Sequence, residues 1–259
     1  MKTFSKCRAV VVSTVAIATI SVVLSLSACG GGGSSGDGTG NPNAGAPQTV
    51  SGTVAKGAAL PGAIVNMTCA NGALLGGTSS ASGEYTTAPM SIAYPCVGTA
   101  AAAGGVPTYR NILFAGNIAN FSPLTDMLAE VVLAASAPAS ASLSMAEFIA
   151  KMSTDAVFST NVSSLANASA YRRVVLNVIA NELSATKTPA EIAAILATAA
   201  TFDTTPFVVG SPLDKVLDGL AATTQNADGS VKATILAKFK ASADALPLPP
   251  SKATGAVGS

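Results

Sequence analysis

The sequence predicts an α+β protein with two parts: a small antiparallel β-sandwich followed by an all-α helical bundle. Two observations predict this order. Residues 48–118 form short runs of alternating apolar residues that Gly and Pro separate, as in antiparallel sheets. From residue 121 onward, apolar residues recur every three or four positions, which is the period of a helix. The 259 residues suffice for one large domain or two ordinary ones.

The chain begins with the pattern of an export signal. Lys2, Lys6 and Arg8 precede an uncharged, mostly apolar stretch over residues 9–28. A basic start followed by such a stretch is typical of a secretory signal peptide. Twenty apolar residues are also long enough to cross a bilayer as a retained helix, so the residues that follow must discriminate.

Leu26-Ser27-Ala28-Cys29 resembles the lipobox of bacterial lipoproteins. In that family the peptide is cut before the cysteine, here between Ala28 and Cys29. The cysteine thiol receives a diacylglycerol and the new amine is acylated, so the membrane partner is lipid through Cys29. In lipoproteins of Gram-negative bacteria, an Asp directly after the cysteine resembles an inner-membrane retention signal. This chain has Gly30 at that position. The resemblance therefore implies a lipid-anchored protein of the cell envelope, in the outer membrane, facing the periplasm or the surface.

Removal of residues 1–28 changes the charge of the chain. The signal contains three of the 14 basic residues and none of the 13 acidic ones, so the mature chain carries 11 against 13 and a formal charge of −2. A formal charge of −2 lacks the excess of basic residues that is typical of a nucleic-acid-binding protein. The chain has no His, which excludes Ser-His, Cys-His and His-zinc chemistry, and no Trp. We expect no metal, no cofactor and no nucleic-acid partner.

Residues 29–47 form the predicted lipidated cysteine and linker. Eight of the seventeen residues over 30–46 are Gly, and none is a large apolar residue. Such a segment cannot bury enough surface to order itself. As a flexible coil it spans roughly 20–25 Å, which would hold a folded body away from a lipid surface.

Six runs within residues 48–118 are predicted strands. Lys56-Gly57, Pro61-Gly62, Asn71-Gly72 and Ser82-Gly83 are turn signals between them. The predicted strands cover residues 49–54, 63–68, 74–78, 84–87, 95–101 and 109–115.

Three patterns stand out in this segment: Val50-x-Gly52-x-Val54, Leu60-Pro61-Gly62-Ala63-x-Val65 and Ser82-Gly83-Glu84-Tyr85. Together they resemble the carboxypeptidase-regulatory-like or transthyretin-like β-sandwich. The resemblance implies an immunoglobulin- or prealbumin-like fold that serves as an accessory, non-catalytic domain. The usual Asp-Gly before the aromatic residue is replaced here by Ser82-Gly83-Glu84.

Cys69 and Cys96 remain in the mature chain once Cys7 leaves with the signal and Cys29 is lipidated. An exported chain meets an oxidising compartment, which favours a disulfide between them. Two buried thiols, or a redox or metal site, are the alternatives. A spacing of 27 residues does not form a CxxC motif, and no His is present to complete a zinc site.

Residues 121–245 are the predicted helical domain. Ser122-Pro123, Thr188-Pro189 and Ser211-Pro212 each place a capping hydroxyl before a proline at the first helical position. Glu147 after Ser144 and Glu191 after Thr188 complete capping boxes. The predicted helical faces fall within residues 124–132, 148–152, 171–183, 192–196, 213–220 and 231–239.

The junction Asn120-Phe121-Ser122-Pro123-Leu124-Thr125 is similar to one in uncharacterised bacterial lipoproteins, where a sandwich precedes an Ala-rich helical domain. That resemblance implies architecture only. Residues 246–259 are rich in Pro at their start and are predicted to be a disordered tail.

Three motifs are candidates for chemistry. Ser184-Ala185-Thr186-Lys187 matches the S-x-x-K of penicillin-binding proteins, but Ser184 falls at a predicted helix end and the partner motifs are absent. Residues 226–230 contain oxygen ligands and a Gly, without the later Glu of a calcium loop, so a plain turn is predicted. Arg172 and Arg173 suit an anion, although solvent exposure or pairing with a carboxylate is the commoner role.

The leading functional hypothesis is a membrane-anchored envelope lipoprotein with a non-catalytic structural or binding role. Its partners are lipid, through acylated Cys29, and an unidentified envelope protein or ligand. We expect no enzyme activity and no catalytic residue. Two alternatives remain: a periplasmic small-ligand carrier with a cavity between helices, and a His-independent enzyme that uses Asp/Glu or Ser-Lys chemistry.

Overall fold

The computed structural model describes residues 46–137, 142–244 and 246. These residues belong to one compact unit. The predicted signal peptide, the lipidation site Cys29, nearly all of the predicted linker and the tail after Leu246 lie outside the described residues. The broad α+β prediction is confirmed by two small antiparallel sheets and seven helices in the described part.

The strands follow the predicted runs closely. Each predicted run overlaps one strand to within two residues at its ends. The four predicted turn glycines adopt positive φ angles, for which Gly is suited because it lacks a Cβ atom. The strands are β1 Ser51–Thr53, β2 Ile64–Cys69, β3 Leu74–Thr78, β4 Glu84–Thr86, β5 Cys96–Ala101 and β6 Thr108–Leu113.

The larger sheet has the strand order β3-β2-β5-β6, and the smaller sheet pairs β1 with β4. Side chains from both sheets meet in one hydrophobic cluster that includes Val54, Met67, Tyr85 and Phe121. Alternation along the larger sheet sends successive residues to opposite faces. One face of the larger sheet therefore joins the smaller sheet in this cluster.

The segment over residues 117–121 runs parallel to β1 and extends the smaller sheet. The two backbones approach so closely that a Cβ atom on Gly52 would lie 2.0 Å from the carbonyl oxygen of Ala119. Only Gly fits at such an approach. The Tyr85 hydroxyl donates a 2.6 Å hydrogen bond to the same carbonyl oxygen, so this crossing is fixed from both β1 and β4.

The part of the chain after β6 contains six helices at predicted positions and one that was not predicted. α3 is short and has only two large buried apolar residues, Phe158 and Val162, which is too few to show a helical period in the sequence. The helices are α1 Pro123–Ala135, α2 Met145–Thr154, α3 Ala156–Val162, α4 Leu165–Leu183, α5 Pro189–Ala199, α6 Pro212–Thr224 and α7 Ala233–Ala243.

One predicted helical position is wrong. The helical spacing of apolar residues predicts Val231 on the face of the last helix, together with Ile235. In the structure α7 begins at Ala233, and Val231 pairs with Gln225 in an isolated antiparallel bridge. Val231 is nevertheless buried, because this bridge folds the turn between α6 and α7 back onto the helical core.

The predicted caps are confirmed. The side chains of Ser122, Thr188 and Ser211 each accept a hydrogen bond from a backbone N–H in the first turn, and a proline follows each. The reciprocal bonds of a capping box are present at Ser144 with Glu147 and at Thr188 with Glu191. These local signals fix where the helices begin.

α1 is buried along nearly its whole length. It packs against β6, α4 and α7, and Met127, Leu128 and Val131 are fully covered. Val97 and Ile112, from the larger sheet, belong to the same hydrophobic cluster as these residues. The larger sheet therefore lies between two apolar clusters, one shared with the smaller sheet and one shared with the helices. No helix in the described part combines the length and apolar character needed to span a membrane.

The cap of α5 supplies a test of the local signals. We expect Thr188→Ala to lower the free energy of unfolding by about 1 kcal/mol, because the first turn loses the hydroxyl that accepts from the Glu191 N–H. Hydrogen bonds to the backbone N–H and hydroxyl of Thr188 hold the pKa of Glu191 below its usual value, so the variant should raise that pKa. Urea unfolding and an NMR titration of Glu191 measure the two effects.

Thr198→Ala is the matched control on the same helix. Its hydroxyl only donates back to the carbonyl oxygen of Ala194, which does not cap the helix. This variant should leave the pKa of Glu191 unchanged. An unchanged pKa in Thr188→Ala as well would show that the capping box does not act on Glu191 in solution.

Candidate functional site

Cys69 and Cys96 lie directly opposite each other in the register of β2 and β5. Their sulfur atoms are 1.96 Å apart, and both residues are fully buried. The pair is therefore placed for the disulfide that the sequence favoured. A bond here joins neighbouring strands of one sheet and closes the chain around β3 and β4. Ala28 and Cys29, the other predicted site residues, lie outside the described residues.

A groove of about 340 Å³ lies beside this pair, between the loops that flank the cysteines and the helices α2 and α3. Its walls include Asn71 and Tyr94 on the sheet side and Ser153, Ser159 and Thr160 on the helix side.

The polar groups of this groove are already engaged within the protein. Ser153, Ser159 and Thr160 each donate a hydrogen bond to a backbone carbonyl oxygen, at 2.5–2.8 Å. The Tyr94 hydroxyl donates to the carbonyl oxygen of Gly116 at 2.6 Å, and the Asn71 amide donates to that of Ser91 at 2.9 Å. The groove therefore has space but presents few free donors to a ligand.

A second groove, of about 320 Å³, lies between the turn before β4 and the loop before α6. Phe207, Val208 and Val209 form one wall, and the last two are about half exposed. Glu84 is the only charged residue among its lining residues. Its character is that of an apolar surface groove.

The S-x-x-K match does not assemble a nucleophile. Ser184 ends α4, as predicted, and its hydroxyl donates a 2.7 Å hydrogen bond to the carbonyl oxygen of Asn181. That contact directs the hydroxyl back onto its own helix. A serine activated by Lys187 would instead need the amine within hydrogen-bond reach of its oxygen.

The segment over residues 226–230 is a turn, as predicted. Asp228 accepts hydrogen bonds from the backbone N–H and the hydroxyl of Ser230, at 2.8 and 2.6 Å. These bonds hold the pKa of Asp228 below its usual value. Across the described ranges, no group of three or more His, Cys, Asp or Glu side chains is placed to hold a metal ion.

The two neighbouring arginines of α4 have different environments. Arg173 is exposed, whereas Arg172 is mostly buried and pairs with Asp203. The Arg172 Nε lies 2.8 Å from each carboxylate oxygen of Asp203. Burial raises the pKa of Asp203, although the charge and hydrogen bonds of Arg172 oppose that shift. The predicted pairing with a carboxylate is therefore present at one of the two arginines.

A second buried ion pair joins the sheet to the helices. Arg110 of β6 contacts Asp126 at 2.6 Å and Glu130 at 3.0 Å, both on α1. Burial disfavours the charged guanidinium, but the two carboxylates outweigh it and raise the pKa of Arg110 above its usual value. Asp126 also accepts from the backbone N–H of Arg110, which covers one open position at this edge of the sheet.

Asn120 is the most extensively hydrogen-bonded side chain of this region, and no pattern in the sequence indicates it. Its buried amide oxygen accepts from the backbone N–H groups of Thr53 and Phe207, at 3.2 and 3.4 Å. Its amide nitrogen donates to the carbonyl oxygens of Phe202 and Thr205, at 3.2 and 2.7 Å. One side chain thus joins β1 to the loop between α5 and α6. Its role is positional, since it holds together the two parts of the fold.

Comparison with known proteins finds no matching protein-family model, no matching curated protein and no matching solved structure.

The Asn120 amide supplies the first prediction from these contacts. We expect Asn120→Ala to lower the free energy of unfolding by about 3–5 kcal/mol, because it strips partners from several buried backbone groups. Asn117→Ala is the control, since Asn117 is exposed three residues earlier in the same segment and should change stability by less than about 0.5 kcal/mol. Equal effects of the two substitutions in urea unfolding would contradict the role assigned to Asn120.

The cysteine pair supplies the second prediction. The double variant Cys69→Ala/Cys96→Ala should lose roughly 3–4 kcal/mol of unfolding free energy, from the entropy of a loop with a sequence separation of 27. Reductant should destabilise the wild-type protein by a similar amount and leave the double variant unchanged. If both thiols of the oxidised, unfolded wild-type protein react with an alkylating reagent, no disulfide is present.

Proposed function

We propose that this chain is a lipid-anchored envelope protein with a non-catalytic binding or structural role. The observation that carries the proposal is the lipobox-like Leu26-Ser27-Ala28-Cys29 at the end of a basic and then apolar leader. Acylated Cys29 would be the membrane contact. Two or more acyl chains give stable attachment, because each buried methylene contributes about 0.8 kcal/mol.

The arrangement of the body agrees with a tethered protein. The bridge between Gln48 and Met90 comes directly after the Gly-rich stretch of the sequence. A linker of that composition would let the body move relative to the lipid surface. Cys69 and Cys96 suit the oxidising compartment that an exported chain reaches.

We further propose that residues 48–118 are a β-sandwich of the carboxypeptidase-regulatory-like kind and that residues 121–245 are an accompanying helical bundle. Support comes from the hydrophobic cluster that both sheets share and from the separate cluster around α1. The resemblance implies an accessory domain, so the proposed role is to bind or position an envelope component. Crosslinking of the native protein in the envelope would identify that component.

The anchor is tested with two cysteine substitutions in the full chain. Cys29→Ser should abolish incorporation of labelled palmitate and release or mislocalise the protein, because the acylated thiol is removed. Cys7→Ser is the matched control, since it removes a cysteine within the predicted signal and should leave labelling unchanged. Labelling that persists in Cys29→Ser would refute the anchor, and loss of labelling in both variants would indicate a defect of export instead.

A further inference from the structure

A third cavity, of about 150 Å³, lies where the end of β6 meets the start of α4 and the loop after α5. Phe114, Ala115 and Leu165 contribute apolar surface to it. Arg172, Asp203 and Thr204 contribute polar groups. It is smaller than the two grooves described above, and unlike them it has a mostly buried cation, Arg172, in its wall.

The guanidinium in this wall is held in place from two sides. Its Nε donates to both oxygens of Asp203, whose side chain is 97% buried. Its central carbon lies 6.0 Å from the centre of the Phe114 ring, and that ring stacks on Tyr171 at the same separation. A guanidinium held in this way loses little freedom when it binds a further group.

The outer nitrogens of Arg172 are left without an acceptor. A guanidinium has five N–H donors, and the contact with Asp203 uses only the one on Nε. Among the described residues, neither terminal nitrogen donates a hydrogen bond to a protein group. The Thr204 hydroxyl is also weakly engaged, with its contact to the Thr201 carbonyl oxygen at 3.4 Å. The cavity therefore offers several donors and an apolar wall at one place.

We propose that this cavity binds a small aliphatic monocarboxylate, with its carboxylate on the terminal nitrogens of Arg172 and its alkyl chain against Phe114, Ala115 and Leu165. A planar carboxylate matches the paired N–H groups of a guanidinium. A cavity of this volume holds a molecule of about six carbon atoms, such as benzene, which is near the size of butyrate. The proposal does not depend on the lipid anchor.

The charge of Asp203 selects among anions. Its carboxylate already offsets the charge of Arg172, so a doubly charged ligand such as phosphate gains little electrostatic attraction and must leave its water shell against an apolar wall. A single carboxylate has a smaller charge to desolvate and a chain that the wall can cover. A neutral amide of the same size cannot form charge-assisted bonds with the guanidinium.

The test uses butyrate and the protein expressed from the full chain, purified in detergent micelles. Butyrate should shift the methyl NMR signals of Ala115 and Leu165, which line the cavity, and the shifts should saturate at millimolar concentration. Butyramide, which has the same number of heavy atoms and no charge, should bind about tenfold more weakly or not at all. Equal shifts with the two compounds would overturn the proposal, as would signals that butyrate does not move.

The decisive variant replaces both members of the ion pair. Arg172→Gln alone would leave Asp203 buried without its partner, so Arg172→Gln/Asp203→Asn is used to keep a neutral, hydrogen-bonded pair. It should weaken butyrate binding about tenfold or more, while the remaining methyl signals confirm the fold. Arg173→Gln removes the same charge from an exposed neighbour and should change binding by less than about twofold. Equal affinity in the double variant and the wild type would overturn the assignment to Arg172.

Discussion

The amide of Asn120 is the interaction on which the arrangement of the two parts depends. It lies at the point where the chain leaves the smaller sheet and enters α1, and it bonds both to β1 and to the loop between α5 and α6. The hydroxyl of Thr53 adds a 2.8 Å bond to the carbonyl oxygen of Phe207 at the same junction. Buried polar groups of this kind are costly unless all are paired, so their pairing specifies one relative position of strand and loop. The parallel run of residues 117–121 along β1 depends on that position.

The larger sheet links the smaller sheet to the helices because each of its two faces packs in a different hydrophobic cluster. Tyr109 and Leu113 of β6 lie in the cluster shared with the smaller sheet, whereas Ile112 lies in the cluster around α1. The ion pair of Arg110 with Asp126 fixes the register of α1 against this strand. A helix buried along nearly its whole length, as α1 is, needs apolar partners all around it. The sheet supplies one side and the remaining helices supply the others.

Much of the fold was predictable because its signals are local. Caps such as Ser122 and Thr188 mark helix starts within four residues, and alternating apolar residues mark strands within six. The rest depends on contacts between distant residues. The partners of Asn120 on the loop after α5 are 82 and 85 residues away, and Asp203 is 31 residues from Arg172. Val231 shows the limit of periodicity, since burial by a bridge gives the same apolar spacing as burial on a helix face. The cysteine pair was predictable only because the signal pattern and the lipobox resemblance account for Cys7 and Cys29, which leaves two of the four cysteines.

The larger groove and the cavity with free hydrogen-bond donors are at different places in this protein. The groove beside Cys69 and Cys96 is more than twice as large as the cavity at Arg172, yet its hydroxyls already donate to backbone carbonyls. Forming a bond to a ligand there would first break an internal bond, and the exchange gains little free energy. The Arg172 cavity requires no such exchange, because Asp203 holds the guanidinium through Nε and leaves its terminal nitrogens available. Unsatisfied donors on a fixed side chain are therefore the better guide to a binding site here than volume.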